Sequence, residues 1–208
     1  MRSVFDFIVT PVENRYDNEV DINGGKLIVN SSIENFKLIS RKAIVLSTPS
    51  AYSTPIEEGD EVIIHHNVFR RYYNHQGKEV DSSKTLNDNQ YLCQLDQIYL
   101  YKNIYKWKPL GEHCFIMPIK NTDDWSQEVE VKNKGIVKIG NKTLKTLGIN
   151  EGDLVGFKSN REFEFVINKQ RLYCMQSNDI LVKYEFKGNE EEYNPSWAKS
   201  SRGIDKGS

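Results

Sequence analysis

Four short blocks of this sequence recur in the same order, and no other feature narrows the possible folds as much. Phe7-Ile8-Val9 ahead of Pro11 resembles Phe115-Ile116-Met117 ahead of Pro118, and Ala43-Ile44-Val45 resembles Gly135-Ile136-Val137. Glu58-Gly59-Asp60-Glu61-Val62 matches Glu151-Gly152-Asp153-Leu154-Val155. Tyr91-Leu92-Cys93, followed by Asp96-Gln97-Ile98-Tyr99-Leu100, matches Leu172-Tyr173-Cys174, followed by Asn178-Asp179-Ile180-Leu181-Val182. Ordered self-similarity of this kind marks a duplicated structural unit, and 208 residues accommodate two small domains.

The blocks read as strands. Runs rich in Val, Ile, Tyr and Phe lie between Gly, Asn, Asp and Pro clusters at residues 5–9, 42–46, 61–65, 91–95 and 98–101. They continue at 115–119, 135–139, 154–157, 162–167 and 180–186. No segment keeps a helical apolar period for three turns, so the class is all-β, built as small barrels. Each Gly-Asp supplies a turn, Gly through its freedom at positive φ and Asp by bonding nearby N–H groups. The expected organisation is a first barrel over 1–103, a linker over 104–111 with Pro109-Leu110-Gly111, a second barrel over 112–187 and a mobile tail over 188–208. Trp197 is the tail's largest apolar group.

The copies differ where function is expected. About 37 residues separate Ile8 from Val45, against about 21 between Ile116 and Val137, so one copy carries an inserted loop. The surplus is polar, holds Gly24-Gly25, and then places Leu27-Ile28-Val29 together. Three aliphatics on an exposed loop point to a binding element, although an ordinary strand after a Gly-Gly turn accounts for them equally well. A second insertion, residues 67–86, interleaves bases and aromatics in Phe69-Arg70-Arg71-Tyr72-Tyr73-Asn74-His75. That is the chemistry of single-stranded nucleic-acid platforms. It also suits a hairpin turning at Asn74-His75-Gln76-Gly77 with alternate aromatics packed inward.

Other classes are disfavoured. A formal charge of -1 provides no global field for nucleic acid or anionic membranes. No apolar run approaches the ~18–20 residues of a membrane span, and Asp6 interrupts what a secretion signal would need. A cytoplasmic protein is expected. Cys93, Cys114 and Cys174 form no Cys-x-x-Cys pair and suit buried structural thiols in a reducing compartment. His65 and His66, adjacent on an expected strand, would face opposite ways and not share a metal. With no nucleophile motif or phosphate loop, neither an enzyme nor a cofactor is expected.

In their order and repetition, these features resemble the GroES-type co-chaperonin family. The corresponding segments are the apolar strand at 7–12, Gly24-Gly25 with Leu27-Ile28-Val29, the strand at 43–46, Gly59-Asp60-Glu61-Val62 and Asp96-Gln97-Ile98. The second copy keeps Gly152-Asp153-Leu154-Val155 and Ser177-Asn178-Asp179-Ile180-Leu181. Lys26 departs from the pattern by separating the glycines from the triplet, and residues 47–56 are short for a roof hairpin. The resemblance implies two tandem GroES-like β-barrels in a homo-oligomer capping a GroEL-type chaperonin ring around an unfolded client protein. It assigns chaperonin binding to Gly24, Gly25, Leu27, Ile28 and Val29. The missing roof is similar to divergent members encoded by tailed bacteriophages, which implies the host cytoplasm. Two readings compete with it: a β-barrel assembly or virion structural protein, and a single-stranded nucleic-acid-binding module.

Overall fold

Each Gly-Asp pair makes a corner between two strands, and the corners match in detail. Gly59 and Gly152 sit at φ +93° and +95°, a region residues with a Cβ rarely adopt. The Asp60 carboxylate accepts the Glu57 N–H at 2.9 Å, and Asp153 accepts that of Asn150 at 2.7 Å. Gly59 and Gly152 then donate to the carbonyls of Val45 and Val137 at 2.8 and 2.7 Å.

The structure, a computed structural model, describes residues 2–16, 19–22, 25–28, 39–87, 89–123, 125–186, 188 and 190–200, with the backbone alone at 19–28 and 200. The chain divides into two compact units, Met1–Trp107 and Lys108–Ser208. The first contains β1 (Phe7–Pro11), β2 (Glu19–Ile22), β3 (Gly25–Ile28), β4 (Lys42–Ser47), β5 (Glu61–Ile64) and β6 (Tyr72–Tyr73). There follow β7 (Glu79–Val80), β8 (Thr85–Asn87), β9 (Gln90–Cys93), β10 (Ile98–Asn103) and β11 (Lys106–Pro109). Seven of these form one sheet in the order β11-β10-β5-β4-β1-β9-β8, while β2-β3 and β6-β7 are separate two-stranded ribbons.

The second unit contains β12 (His113–Lys120), β13 (Glu130–Ile139), α1 (Lys142–Thr146), β14 (Leu154–Phe157), β15 (Phe163–Ile167), β16 (Gln170–Gln176), β17 (Ile180–Tyr184) and α2 (Ser196–Ser200). Its sheet runs β15-β16-β12-β13-β14-β17. This is the order β8-β9-β1-β4-β5-β10 of the first unit. The irregularities coincide as well, with register shifts at Ile8/Val9 and Phe115/Ile116, and again at Ile98/Leu100 and Gly156/Phe157. The duplication is therefore structural.

The sequence match is nevertheless one residue out in two blocks. Pro11 faces Ala43 and Pro118 faces Gly135, which makes Val9 the counterpart of Ile116 and Phe7 that of Cys114. Likewise Val9 faces Tyr91 and Ile116 faces Tyr173, so Cys93 corresponds to Met175 and not to Cys174. Cys114, Ile116, Val137, Val155, Phe157 and Met175 pack together in the second core. Phe115, on the other face, is also fully buried and meets Phe165 edge-on at 5.8 Å. Strands buried on both faces lose the alternation that fixes register.

Three other expectations change. The all-β class holds, but both sheets are open in strand order, and no pairing among the described residues closes either into a barrel. The segment read as a linker is mostly β11, added to the edge of β10 after a turn at Ile104 (φ 47°), with Trp107 buried. The segment read as a mobile tail docks on the second unit over 191–198. Lys120 donates to the Glu191 carbonyl and Tyr193 to that of Pro118, both at 2.8 Å, and Ala198 is fully buried. Backbone pairing with Pro118 and Lys120, the Lys138–Glu192 ion pair and the Asn194 side chain hold this segment.

Candidate partner-binding site

The excursion between β1 and β4 leaves and returns at one point. Tyr16 bridges Ile39, and the Ser40 N–H donates to the Arg15 carbonyl at 3.1 Å. Tyr16 is only 2% exposed, and burial foremost raises its hydroxyl pKa. That hydroxyl accepts the Arg71 N–H at 2.9 Å, and the Arg71 guanidinium lies 4.3 Å from the ring centre. Arg15 donates to the carbonyls of Phe69 at 2.6 Å and Arg70 at 2.9 Å, and to the Glu79 carboxylate at 3.0 Å. The root of the first insertion is thus bound to the second.

Beyond that root, the site read from the sequence as a loop contains a ribbon. β2 and β3 pair with Glu19 opposite Ile28, Val20 opposite Leu27, Asp21 opposite Lys26 and Ile22 opposite Gly25. Of the assigned residues, Gly25, Leu27 and Ile28 lie on β3, while Gly24 and Val29 fall outside the described residues. A register that pairs Ile22 with Gly25 leaves two residues to connect the strands, and the sequence there is Asn23-Gly24. Asn-Gly between short strands is the strongest local hairpin signal. It is the legible sign of the ribbon, overlapping Gly24-Gly25 in the sequence.

The second insertion is the expected hairpin. Asn74 holds its turn, its side chain accepting the N–H groups of Gln76 at 2.9 Å and Lys78 at 3.0 Å. The aromatics do not alternate inward as expected. Phe69 is fully buried, edge-on to Tyr91 at 5.0 Å, but Tyr72 and Tyr73 are 41% and 38% exposed. A two-stranded ribbon with no second layer has no inside to pack them into.

The histidines also depart from expectation. β5 ends at Ile64, and His65 opens a tight turn by accepting the Asn67 N–H on Nδ1 at 3.1 Å. The two rings stack at 4.2 Å instead of facing apart. Burial, then the neighbouring His65, Arg41 and Arg70, push His66 down to about 4. Among the described residues, no group of three or more His, Cys, Asp or Glu is placed to hold a metal ion. All three cysteines are free and buried, and burial pushes the Cys114 thiol up to about 12, which leaves it unreactive.

Among the described residues, the second unit has no counterpart of either ribbon. At the equivalent place Arg171 ion-pairs with both Glu130 and Glu164 and donates to the Tyr173 hydroxyl at 2.6 Å. That hydroxyl donates to Glu130 at 2.7 Å. Beside this network is a cleft of about 310 Å³ lined by Val129, Phe157, Tyr173, Glu128 and Glu162. The cleft is open, and its central carboxylate is already held by Arg171 and Tyr173.

No protein-family model and no curated protein matches this chain. Function therefore has to be argued from geometry. Among the described residues no helix is long and apolar enough to cross a membrane.

Proposed function

We propose that this chain is a GroES-type co-chaperonin subunit, its two units being divergent GroES-like barrels and its β2-β3 excursion the chaperonin-binding element. One observation carries the reading. Two units with one strand order differ in that only the first extends a rooted ribbon between its first two shared strands, and that ribbon bears Leu27 and Ile28. Gly24, Gly25, Leu27, Ile28 and Val29 are the proposed contact residues.

The energetics suit a lid that must come off. Burying an aliphatic side chain in a partner's groove gains about 1.5–3 kcal/mol, while fixing a chain segment costs about 1–2 kcal/mol per residue. Prior pairing of β2 with β3 lowers that cost, but an isolated two-stranded ribbon is itself marginal in water. A single site is then weak. Several copies in a homo-oligomer bind together through avidity, and a small change in each groove releases all of them. ATP hydrolysis belongs to the chaperonin in the host cytoplasm, which folds the enclosed client.

Ile28→Asp is expected to abolish co-sedimentation with a GroEL-type chaperonin in nucleotide, leaving the far-ultraviolet circular dichroism unaltered. Co-sedimentation equal to that of the parent would overturn the assignment.

A further inference from the structure

We infer that the β6-β7 hairpin is a positioning element for the β2-β3 ribbon, with Arg71 and Glu79 as the residues that hold the ribbon's root. What the ribbon binds rests on the co-chaperonin reading; the coupling of the two insertions does not.

Arg15 and Tyr16, at the root of the first insertion, meet Phe69, Arg70, Arg71 and Glu79 of the second. Arg15 and Tyr16 immediately precede the excursion. Arg71 immediately precedes the paired Tyr72–Tyr73, and Glu79 lies on the other strand of the hairpin, opposite Tyr73. Glu79 lies within ion-pairing distance of both arginines, 3.0 Å from Arg15 and 3.5 Å from Arg71. The two guanidinium side chains are 19% and 12% exposed and Glu79 is 47% exposed. The partly screened pull of Glu79 therefore adds to the hydrogen bonds that Arg15 and Tyr16 make with the backbone of Phe69, Arg70 and Arg71. Arg71 in turn covers the Tyr16 ring and gives its backbone N–H to the Tyr16 hydroxyl.

Movement at the ribbon's root therefore disturbs contacts made by the hairpin, and the reverse holds. The second unit, which among the described residues has no counterpart of either insertion, supports the pairing of the two devices. A hairpin serving only as surface decoration would not send a backbone N–H and a shared carboxylate into the opening of another loop.

The test is amide exchange on the full chain, read at Ser40 and Arg71, with Val45 and Val137 as sheet controls. Glu79→Lys and, separately, Tyr16→Phe are expected to speed exchange at Ser40 about tenfold while the controls stay unchanged. Glu79→Asp, which restores the carboxylate, is expected to return Ser40 to within about twofold of the parent. Chaperonin affinity should fall about five- to tenfold in Glu79→Lys and recover in Glu79→Asp. Unchanged exchange at Ser40 in both Glu79→Lys and Tyr16→Phe overturns the inference. Should Glu79→Lys unfold the first unit, Tyr16→Phe, which removes one oxygen, decides alone. Absence of chaperonin binding by the parent chain would sink the co-chaperonin reading and leave the exchange result standing.

Discussion

The two units place a tyrosine at one shared position, Tyr91 opposite Val9 and Tyr173 opposite Ile116, yet hold it with residues from different places. In the second unit the arginine and both carboxylates come from the sheet itself. Arg171 on β16, Glu130 on β13 and Glu164 on β15 surround Tyr173, and the guanidinium lies 4.9 Å from its ring centre. In the first unit Arg15 lies 5.1 Å from the Tyr91 ring, but it comes from the mouth of the excursion, and its carboxylate, Glu79, from the second insertion. Burial foremost raises both tyrosine hydroxyls above their ordinary range. The tyrosine at this corner, buried in the first copy and half-buried in the second, lies beneath an arginine in both. The second copy is self-sufficient there. The first recruits residues of its insertions, Arg15 and Glu79, which have become part of its packing.

The strongest test of the shared register is a pair of substitutions at one position. Gly135 and Ala43 are counterparts, each opposite a proline of the first shared strand. A Cβ on Gly135 would come within 2.5 Å of the Met117 carbonyl and 2.6 Å of the Ile116 side chain. Backbone cannot move aside cheaply, so Gly135→Ala is expected to cost about 3 kcal/mol. Ala43 already carries that methyl group, and Ala43→Gly should cost only about 1 kcal/mol through chain entropy. Urea unfolding of the full chain measures both. Equal costs would mean that a methyl group is accommodated opposite Pro118 as readily as opposite Pro11.

That pair also shows how far the sequence could be read. The ten strands expected from apolar runs all appear, because each is bounded by turn residues whose chemistry is local. The order of blocks was equally legible. Register was not, since matching Phe7 to Phe115 follows residue identity while the pairing follows Pro11 and Pro118. A strand with apolar residues on both faces has no periodic mark to set it. Closure into barrels, the docked 191–198 segment and the β11 edge strand all depend on long-range backbone pairing, which no local pattern records. At the proposed binding site, Leu27 and Ile28 were visible as aliphatics in a polar stretch. Their support was not, for Arg15, Tyr16, Arg71 and Glu79 are far apart in sequence and unremarkable singly.

His66 sharpens the comparison through pH. Its counterpart is Ser159, because His65 donates to the Gln97 carbonyl as Lys158 does to that of Asp179. The folded chain keeps His66 neutral down to about 4, whereas an unfolded histidine takes up a proton near 6.5. Between those values the unfolded state binds more protons, so stability falls as pH drops through the window and levels off below it. Allowing for the ring's partial exposure, the loss is on the order of 2 kcal/mol. It should appear as faster exchange at Ile64 in the first unit, after correction for intrinsic rates, and not at Lys158 in the second. His66→Gln should flatten the profile. A profile unaltered by that substitution would assign the pH dependence to other groups.

The smallest effect separates the two Gly-Asp corners. Asp60 and Asp153 cap the same turn, but Asp153 also meets the Lys183 ammonium at 2.6 Å, where the first unit has Tyr101. The Asn150 N–H and then Lys183 hold the Asp153 carboxyl below the usual carboxylate range. That part of its stabilisation is present above the unfolded carboxylate value and is lost as pH falls through the depressed one. Removing the cap by Asp60→Ala should cost about 1 kcal/mol, and Asp153→Ala that much plus a few tenths for the exposed ion pair. Lys183→Met isolates the surplus: it should lower stability in the parent and do nothing in Asp153→Ala. If Lys183→Met costs the same in both backgrounds, the ammonium acts through the Gly148 carbonyl it also reaches at 2.8 Å, and the corners are energetically alike.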